Sequence, residues 1–185
     1  MGSSIVKAND ATTLYYSLPF ISTMPETNMV YSARIHERSI RTLQNNVRNC
    51  MSPTIVIVRS GEYVFGGYAT DPWKFDGQRT GNPKGFLFSL TLDVKIPYSG
   101  RQKDGQSAVM GGNFGRTHDC MWSGNDFLSF GIKDLCLRGD FRMCSSEIEN
   151  SYSIGCDVGG VEAKSFLAGS NMFVADEIEV WSIGF

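Results

Sequence analysis

Short apolar runs recur along this chain, and in several of them apolar and polar residues alternate, as is typical of β-strands that pack on one face. Residues 54–59 are apolar and largely β-branched, Ser60-Gly61-Glu62 can turn the chain, and residues 63–69 return as an aromatic-rich run. Two such runs joined by a short glycine turn predict a β-hairpin. Similar runs predict further strands, at 28–32, 86–92, 106–110, 118–122, 127–132, 134–138, 152–156 and 177–183.

Helical periodicity is confined to a few segments. Ile40, Leu43 and Val47 recur at the spacing of one helix face, and Ser39 stands where an N-cap would lie. Two further short helices are predicted, near 11–18 and at 161–168. These helices are too few to cover both faces of a parallel sheet. The pattern therefore predicts a mainly β fold, a two-sheet antiparallel β-sandwich flanked by one or two short helices.

The chain has a length suited to one domain. A globule of 185 residues buries about 70% of the surface of its unfolded chain, which is enough for a hydrophobic core without disulfides. Residues 1–27 lack a clear periodicity and contain Pro19 and Pro25, so they are interpreted as an irregular lead-in. The sandwich domain is expected to span residues 28–185.

Composition and charge exclude several classes of protein. The hydrophobic content of 42% and aromatic content of 12% are too high for a disordered chain. A net charge of −2 gives no general attraction for nucleic acid. The sequence has no apolar run long enough to span a bilayer, so we expect no membrane insertion and a cytoplasmic location.

The five cysteines do not suggest a disulfide framework or a zinc site. They are odd in number and include no C-x-x-C pair. We expect reduced, mostly buried thiols. The cysteines are Cys50, Cys120, Cys136, Cys144 and Cys156.

An ordered series of short motifs resembles the TLDc domain family over residues 28–185. Each motif is unspecific alone, and the order and spacing of the set carry the resemblance. The motifs are Val30-Tyr31-Ser32, His36, Ser39-Ile40-x-Thr42-Leu43, Pro53-Thr54, Val64-Phe65-Gly66-Gly67-Tyr68, Asp71-Pro72-Trp73-Lys74, Phe86-Leu87-Phe88, Leu128-x-Phe130-Gly131, Asp134-Leu135 and Glu177-Ile178-Glu179-Val180-Trp181.

The resemblance implies a β-sandwich and a non-enzymatic role. TLDc proteins are associated with protection from oxidative stress and with binding the vacuolar-type proton-pumping ATPase, whose assembly they regulate. The resemblance carries over no catalytic residues, no metal ligands and no cofactor. It implies a protein partner, namely subunits of that pump, at the cytosolic face of acidic organelles.

This chain departs from the family pattern at several positions. Lys84 stands where the family usually has an acidic residue, and Glu37-Arg38 replaces the usual glycine after His36. The tryptophan expected before Tyr31 is absent. The chain therefore resembles a divergent member, in which a given partner need not be kept.

Two motifs have only a superficial likeness to chemical sites. Gly111-Gly112-x-x-Gly115 lacks the Lys-Ser/Thr of a phosphate-binding loop and is interpreted as a turn or bulge. His118 lies near Cys120, but a metal site would need ligands from scattered cysteines. A thiol-based antioxidant enzyme stays as a lesser alternative, since exposed cysteines of low pKa oxidise readily.

Basic residues beside the predicted helix are candidates for partner binding. Arg34, Arg38, Arg41 and Arg48 would share one sector of a helix, opposite its apolar face. If Ser39 is the N-cap, only Arg41 and Arg48 remain on the helix. These arginines form either a solvated face or a surface that steers an acidic partner.

The Asp71-Pro72-Trp73-Lys74 turn supplies two further candidates, Trp73 and Lys74. Trp73 either covers the edge of the sandwich or serves as an exposed anchor for a partner. On the last strand, Glu177 and Glu179 face the same side as Trp181. Two neighbours on one strand do not suit glycoside hydrolysis, so they are interpreted as facing solvent or bonded to backbone donors.

Two non-enzymatic functions remain open from sequence. The first is a protein-binding module that biases the assembly of the proton pump. The second is a structural module permanently docked in a large cytosolic or cytoskeletal assembly.

Overall fold

The computed structural model describes residues 2–7, 14, 18, 25–100 and 120–184. Two six-stranded antiparallel sheets pack face to face, which confirms the predicted mainly β sandwich. The predicted helix near 11–18 and the predicted strand at 106–110 fall wholly or largely outside the described residues, as do Gly111, Gly112, Gly115 and His118. No helix in the described ranges is long and apolar enough to cross a membrane.

The first sheet, sheet A, contains the hairpin and the C-terminal strand. Its order is β1-β12-β2-β3-β5-β6. The strand bounds are β1 Glu26–Ser32, β2 Thr54–Ser60, β3 Tyr63–Ala69, β5 Phe86–Ser89, β6 Val94–Pro97 and β12 Glu177–Gly184.

The second sheet, sheet B, is built from shorter strands. Its order is β11-β10-β9-β8-β7-β4. The strand bounds are β4 Arg79–Thr80, β7 Met121–Gly124, β8 Phe127–Phe130, β9 Leu135–Arg138, β10 Cys144–Ser146 and β11 Met172–Phe173.

The hairpin of β2 and β3 lies at the centre of sheet A. Ser60 pairs with Tyr63, so two residues make the turn, and Gly61 adopts a positive φ of 56° there. Gly67 on β3 faces sheet B. A Cβ at Gly67 would stand 2.6 Å from the ring of Phe130, so the absence of a side chain allows the two sheets to approach at this point.

Helix α1 spans Ile40–Val47 and matches the predicted helix. Ser39 caps it, because its hydroxyl accepts a 3.1 Å hydrogen bond from the backbone N–H of Thr42. The face with Ile40, Leu43 and Val47 is buried against the sandwich. Helix α2 is shorter than predicted and covers Val161–Ser165.

Sheet A is apolar on both faces. Its inner face joins the main core between the sheets. Its outer face carries a second apolar cluster, to which Ile5, Leu14 and Leu18 of the predicted lead-in also belong. The cluster residues contributed by sheet A are Ile55, Ile57, Tyr68, Phe86, Phe88, Trp181 and Ile183.

Two predicted strands are wrong in extent or in kind. The strand predicted at 86–92 ends at Ser89, because the Ser89 hydroxyl accepts the N–H of Leu92 and Asp93 adopts a positive φ of 52°. The strand predicted at 152–156 is absent. Tyr152 forms one isolated bridge with Tyr98, and the residues after it wrap around a carboxylate instead of pairing with a strand.

Candidate protein interface

A surface cleft of about 560 Å³ opens at one end of the sandwich. It lies between the β2–β3 turn, the turn that leads into β10, and the segment around β11. Its lining consists of Ser60, Gly61, Arg142, Met143, Ala168, Ser170, Met172, Phe173, Val174 and Asp176. We call it the methionine cleft.

Exposed apolar side chains concentrate in this cleft. Met143 is 67% exposed, Met172 48% and Val174 46%, and they are three of the eight large hydrophobic side chains that are exposed in the described part of the chain. Methionine is flexible and polarisable, so it adapts to the shape of an apolar partner. Clustered exposed apolar groups of this kind mark protein interaction sites.

One wall of the cleft is fixed by Arg38. Its guanidinium donates to the backbone oxygens of Ala175 and Asp176, with a distance of 2.7 Å to Ala175. The Asp176 carboxylate in turn accepts the N–H of Gly61 at 2.7 Å. The β2–β3 turn and the approach to β12 are thereby tied together. Arg38 shapes the cleft wall through contacts within the chain.

The remaining predicted partner-binding residues do not gather in the cleft. Arg41 is exposed on α1, and Lys74 is exposed in the turn after β3. Arg48 follows the last residue of α1, and its guanidinium lies 5.7 Å from the centre of the Phe75 ring. With Ser39 as the N-cap, Arg34 and Arg38 precede the helix, and only Arg41 and the C-cap residue Arg48 remain on it.

Trp73 covers the core and is only 3% exposed. Its indole N–H donates to Thr54, and its ring meets Phe130 edge to face with 5.3 Å between centroids. Of the two roles open from sequence, cover of the sandwich is the one observed. In this conformation Trp73 offers no exposed anchor.

Two buried carboxylates organise the loop between β10 and α2. Asp134 accepts backbone N–H groups of Asn150, Ser151 and Tyr152 at 3.0–3.1 Å. Burial raises the pKa of Asp134 to about 7, although the N–H donors oppose the shift.

Glu149 plays a similar part further along this loop. Its carboxylate accepts the Ser153 hydroxyl and the backbone N–H groups of Ile154, Gly155 and Cys156. Burial disfavours its charged form, but these hydrogen bonds outweigh burial and lower the pKa of Glu149. Both carboxylates accept hydrogen bonds from within the chain. They therefore stabilise the conformation of the loop between β10 and α2.

Cys144 and Cys156 are poorly suited to peroxide chemistry. Cys120, Cys136 and Cys144 are buried. Burial raises the pKa of Cys144 to about 11, and burial together with the Glu149 carboxylate does the same for Cys156. Reactive cysteines need a low pKa, because the thiolate is the nucleophile. Among the described residues, no three histidine, cysteine or acidic side chains are grouped as metal ligands.

The sequence did not point to the methionine cleft. Met143 and Met172 lie in separate short segments, and neither belongs to a periodic run. Glu179 is bonded to a backbone donor, which is one of its two interpretations from sequence, since it accepts the N–H of Ser4 at 2.8 Å. Glu177 instead pairs with Arg59 at 2.6 Å.

A family model described as the TLDc domain matches residues 1–184. It covers both sheets and confirms the resemblance seen in the motifs. It also begins within the segment that the sequence set apart as a lead-in, whose Ile5, Leu14 and Leu18 pack on sheet A.

Several curated proteins are similar to this chain. Nuclear receptor coactivator 7 of Mus musculus is 28% identical over 131 residues, covering 58% of this chain and 14% of that protein. Oxidation resistance protein 1 of Bos taurus is 25% identical over 130 residues, or 60% of this chain and 15% of that protein. MTOR-associated protein MEAK7 of Xenopus laevis is 33% identical over 84 residues, or 44% of this chain and 18% of that protein. The chain thus spans less than a fifth of the length of each.

Proposed function

We propose that this chain, which belongs to the TLDc domain family, is a protein-binding module without catalytic activity and that its methionine cleft holds part of the partner. The observation that carries the proposal is the clustering of Met143, Met172 and Val174, all exposed, in one cleft. Burying such side chains against a partner removes apolar area from water, at about 25 cal/mol per Å².

The cleft has the anatomy expected of a small interface. Its floor includes the buried Phe173, and its rim carries Arg142 and Asp176. Arg142 is paired with Asp140 at 3.2 Å on the exposed surface, so the rim is polar and carries charges of both signs. An apolar centre inside a polar rim excludes water from the contacts that contribute most to binding.

The partner we propose is the cytosolic sector of the vacuolar-type proton-pumping ATPase, which the family resemblance implies. The protein would then work in the cytoplasm, at the cytosolic face of acidic organelles, and bias the assembly of the pump. A binding protein achieves this by having different affinities for the assembled and the separated states. One relative is named Oxidation resistance protein 1, and a role in protection from oxidative stress is part of the proposal.

The test is capture of the purified pump by immobilised protein, in the parent form and in an M143D/M172D variant. Aspartate at both positions puts charge into the apolar centre, and we expect at least a tenfold loss of affinity. The matched control is Met51→Asp, since Met51 is 78% exposed and does not line the cleft. That variant should bind like the parent.

Each outcome decides a separate part of the proposal. Equal capture by the parent and the M143D/M172D variant would place the partner on another surface. Failure of the parent protein to retain any pump subunit would remove the pump as the partner. Thermal melting of both variants shows whether the sandwich is intact, and no change is expected because all three methionines are exposed.

A further inference from the structure

The segment of residues 2–7, here called the N-terminal strap, is fastened to the outer face of sheet A. Ser3 donates its hydroxyl to Oε2 of Glu179 at 2.6 Å, and the backbone N–H of Ser4 donates to Oε1 at 2.8 Å. The Ser3 oxygen also accepts the N–H groups of Ile5 and Val6. A compact turn therefore forms around one carboxylate on β12.

Glu179 is buried although it is ionisable, at 1% exposure. Besides the strap, the indole N–H of Trp181 donates to its Oε2 at 3.0 Å. Burial disfavours the charged form, but the hydrogen bonds from Ser3, Ser4 and Trp181 outweigh burial and lower the pKa of Glu179. Most of its donors leave if the strap detaches, so strap binding and the charge of Glu179 support each other.

The strap covers apolar surface that would otherwise face water. Ile5 belongs to the cluster on the outer face of sheet A, together with Trp181 and Ile183 of β12. The strap contributes no residue to the main core between the sheets, so it can detach while that core stays intact.

The hydroxyl of Ser4 lies between two carboxylates. It lies 2.8 Å from Oε1 of Glu179 and 3.3 Å from Oε2 of Glu177, while the residue itself is exposed. Any group added to this oxygen replaces the proton that both carboxylates share. It must also fit next to two negative charges.

We propose that Ser4 is a phosphorylation site and that its phosphoryl group releases the N-terminal strap from sheet A. A protein kinase using ATP would act on the detached strap. The serine oxygen forms a bond to the γ-phosphorus, the bond from that phosphorus to the oxygen bridging it to the β-phosphorus breaks, ADP leaves, and the hydroxyl proton passes to the base of the kinase. The modified strap then cannot return to Glu179.

The physical reason is charge. Phosphoserine carries about −1.5 to −2 charges near neutral pH, and beside acidic side chains it disrupts by repulsion. Two cations on this side of sheet A already pair with Glu177, since Arg59 lies 2.6 Å from its Oε1 and Arg34 lies 4.0 Å from the same atom. If these arginines bound the phosphate instead, phosphorylation would strengthen the attachment of the strap to sheet A. That would be the opposite of the release we expect.

Trypsin cleavage after Lys7 measures strap release, because Lys7 is exposed at the end of the strap and a protease needs an unfastened chain. We expect the protein with phosphoserine at position 4, made by semisynthesis, to lose the strap peptide at least tenfold faster than the parent. A Ser4→Asp variant should follow in the same direction. A Ser4→Thr variant keeps the hydroxyl and should resemble the parent.

A second pair of variants separates repulsion from simple loss of hydrogen bonds. Ser4→Ala removes the hydroxyl without adding charge, so its cleavage should be only modestly faster. Adding Glu177→Gln removes one of the two facing charges, so it should slow cleavage of the S4D variant. It should not slow cleavage of the S4A variant, which has no added charge. Equal rates for the phosphorylated and parent proteins, or slower cleavage of the phosphorylated form, would overturn the proposal.

The occurrence of the modification is tested on protein isolated from its native cells with phosphatase inhibitors present. Mass spectrometry of the peptide that contains residues 2–7 should show a phosphoryl group on Ser4. Its absence there overturns the assignment of a natural site. No partner enters any of these measurements, so their outcome is independent of the methionine cleft.

Discussion

The indole N–H of Trp73 donates a 3.0 Å hydrogen bond to the hydroxyl of Thr54, and both side chains are buried at the edge of the sandwich. Thr54→Val keeps the shape of the side chain and removes the acceptor. A buried donor without a partner costs about 1–3 kcal/mol. We expect a loss of that size in the free energy of unfolding, measured by urea titration. Thr54→Ser retains the hydroxyl and should lose less, so equal losses would show that the hydrogen bond contributes little.

Gly67 and Phe130 set the spacing between the sheets. The Gly67→Ala substitution would place a methyl group 2.6 Å from the Phe130 ring, and overpacking of this kind costs about 1–3 kcal/mol. Combining it with Phe130→Leu shortens the ring side chain. The double variant should be more stable than the sum of the two single losses predicts, as a double-mutant cycle by urea titration can measure.

Gly66 provides the control for that cycle. A Cβ there would overlap the backbone oxygen of Val56, which no side-chain truncation can move. Gly66→Ala should therefore remain unstable in the presence of Phe130→Leu. Rescue of both glycine variants by the same truncation would contradict a specific contact between Gly67 and Phe130.

Asp134 makes stability depend on pH. Its pKa is about 7 in the folded protein and about 3.8 in an unfolded chain, so the folded state holds a proton that the unfolded state has released. The resulting stabilisation is complete below pH 3.8 and is lost as the pH rises through 7. We expect the free energy of unfolding of the parent to fall between about pH 5.5 and 7.5.

The comparison that isolates this effect is with Asp134→Asn, which cannot titrate. That variant should be less stable at pH 5.5 and show a flatter profile. The glutamates Glu149 and Glu179 have lowered pKa values and are ionised throughout this window. Should the variant fail to fold, an NMR titration of the Asp134 carboxyl carbon in the parent must show a midpoint near pH 7. A midpoint near pH 4 would refute the prediction.

Arg38 and Arg41 should respond differently to charge reversal. Arg38→Glu removes the donors to the Ala175 and Asp176 carbonyls and is expected to destabilise the protein by about 1–2 kcal/mol. Arg41→Glu alters only an exposed side chain and should leave the melting temperature unchanged. Calorimetry of both variants gives their melting temperatures. Equal changes would show that the hydrogen bonds of Arg38 to the cleft wall contribute little to stability.

Cys156 should behave as a slow thiol although it is partly accessible. With a pKa of about 11, its alkylation by iodoacetamide should accelerate about tenfold per pH unit from pH 7 to 9 without reaching a plateau. Mass spectrometry of the peptide containing Cys156 gives the rate. The same protein in urea is the control and should level off near pH 9. A plateau below pH 9 in the folded protein would contradict the raised pKa of Cys156. It would then favour the thiol-based enzyme as the function.

The sequence predicted the elements that local patterns define. The β-branched and aromatic runs on either side of Gly61 predicted the hairpin of β2 and β3, and the spacing of apolar residues predicted β12 and helix α1. The Ser39 cap could also be read from sequence, because it depends on a residue only three positions away. Local rules were sufficient for these elements.

The predictions that were wrong depended on where single side chains point. The residues after Tyr152 alternate like a strand, but the Glu149 carboxylate binds their N–H groups and leaves them unable to pair. Strands β10 and β11 are too short to show a period. The methionine cleft and the strap depend on contacts between distant parts of the chain, and one sequence does not show such contacts.

Strand β12 lies between β1 and β2 in sheet A, and it contributes Glu179 to the strap. During synthesis on the ribosome, β1 and the central hairpin emerge long before the strand that joins them. Until residues 177–184 leave the exit tunnel, both flanking strands present open edges and the strap has no carboxylate to hold. Non-local pairing of this kind folds slowly and exposes the chain to aggregation. The last strand made is thus the one that closes the domain, and a nascent chain that stalls shortly before it would depend on chaperones.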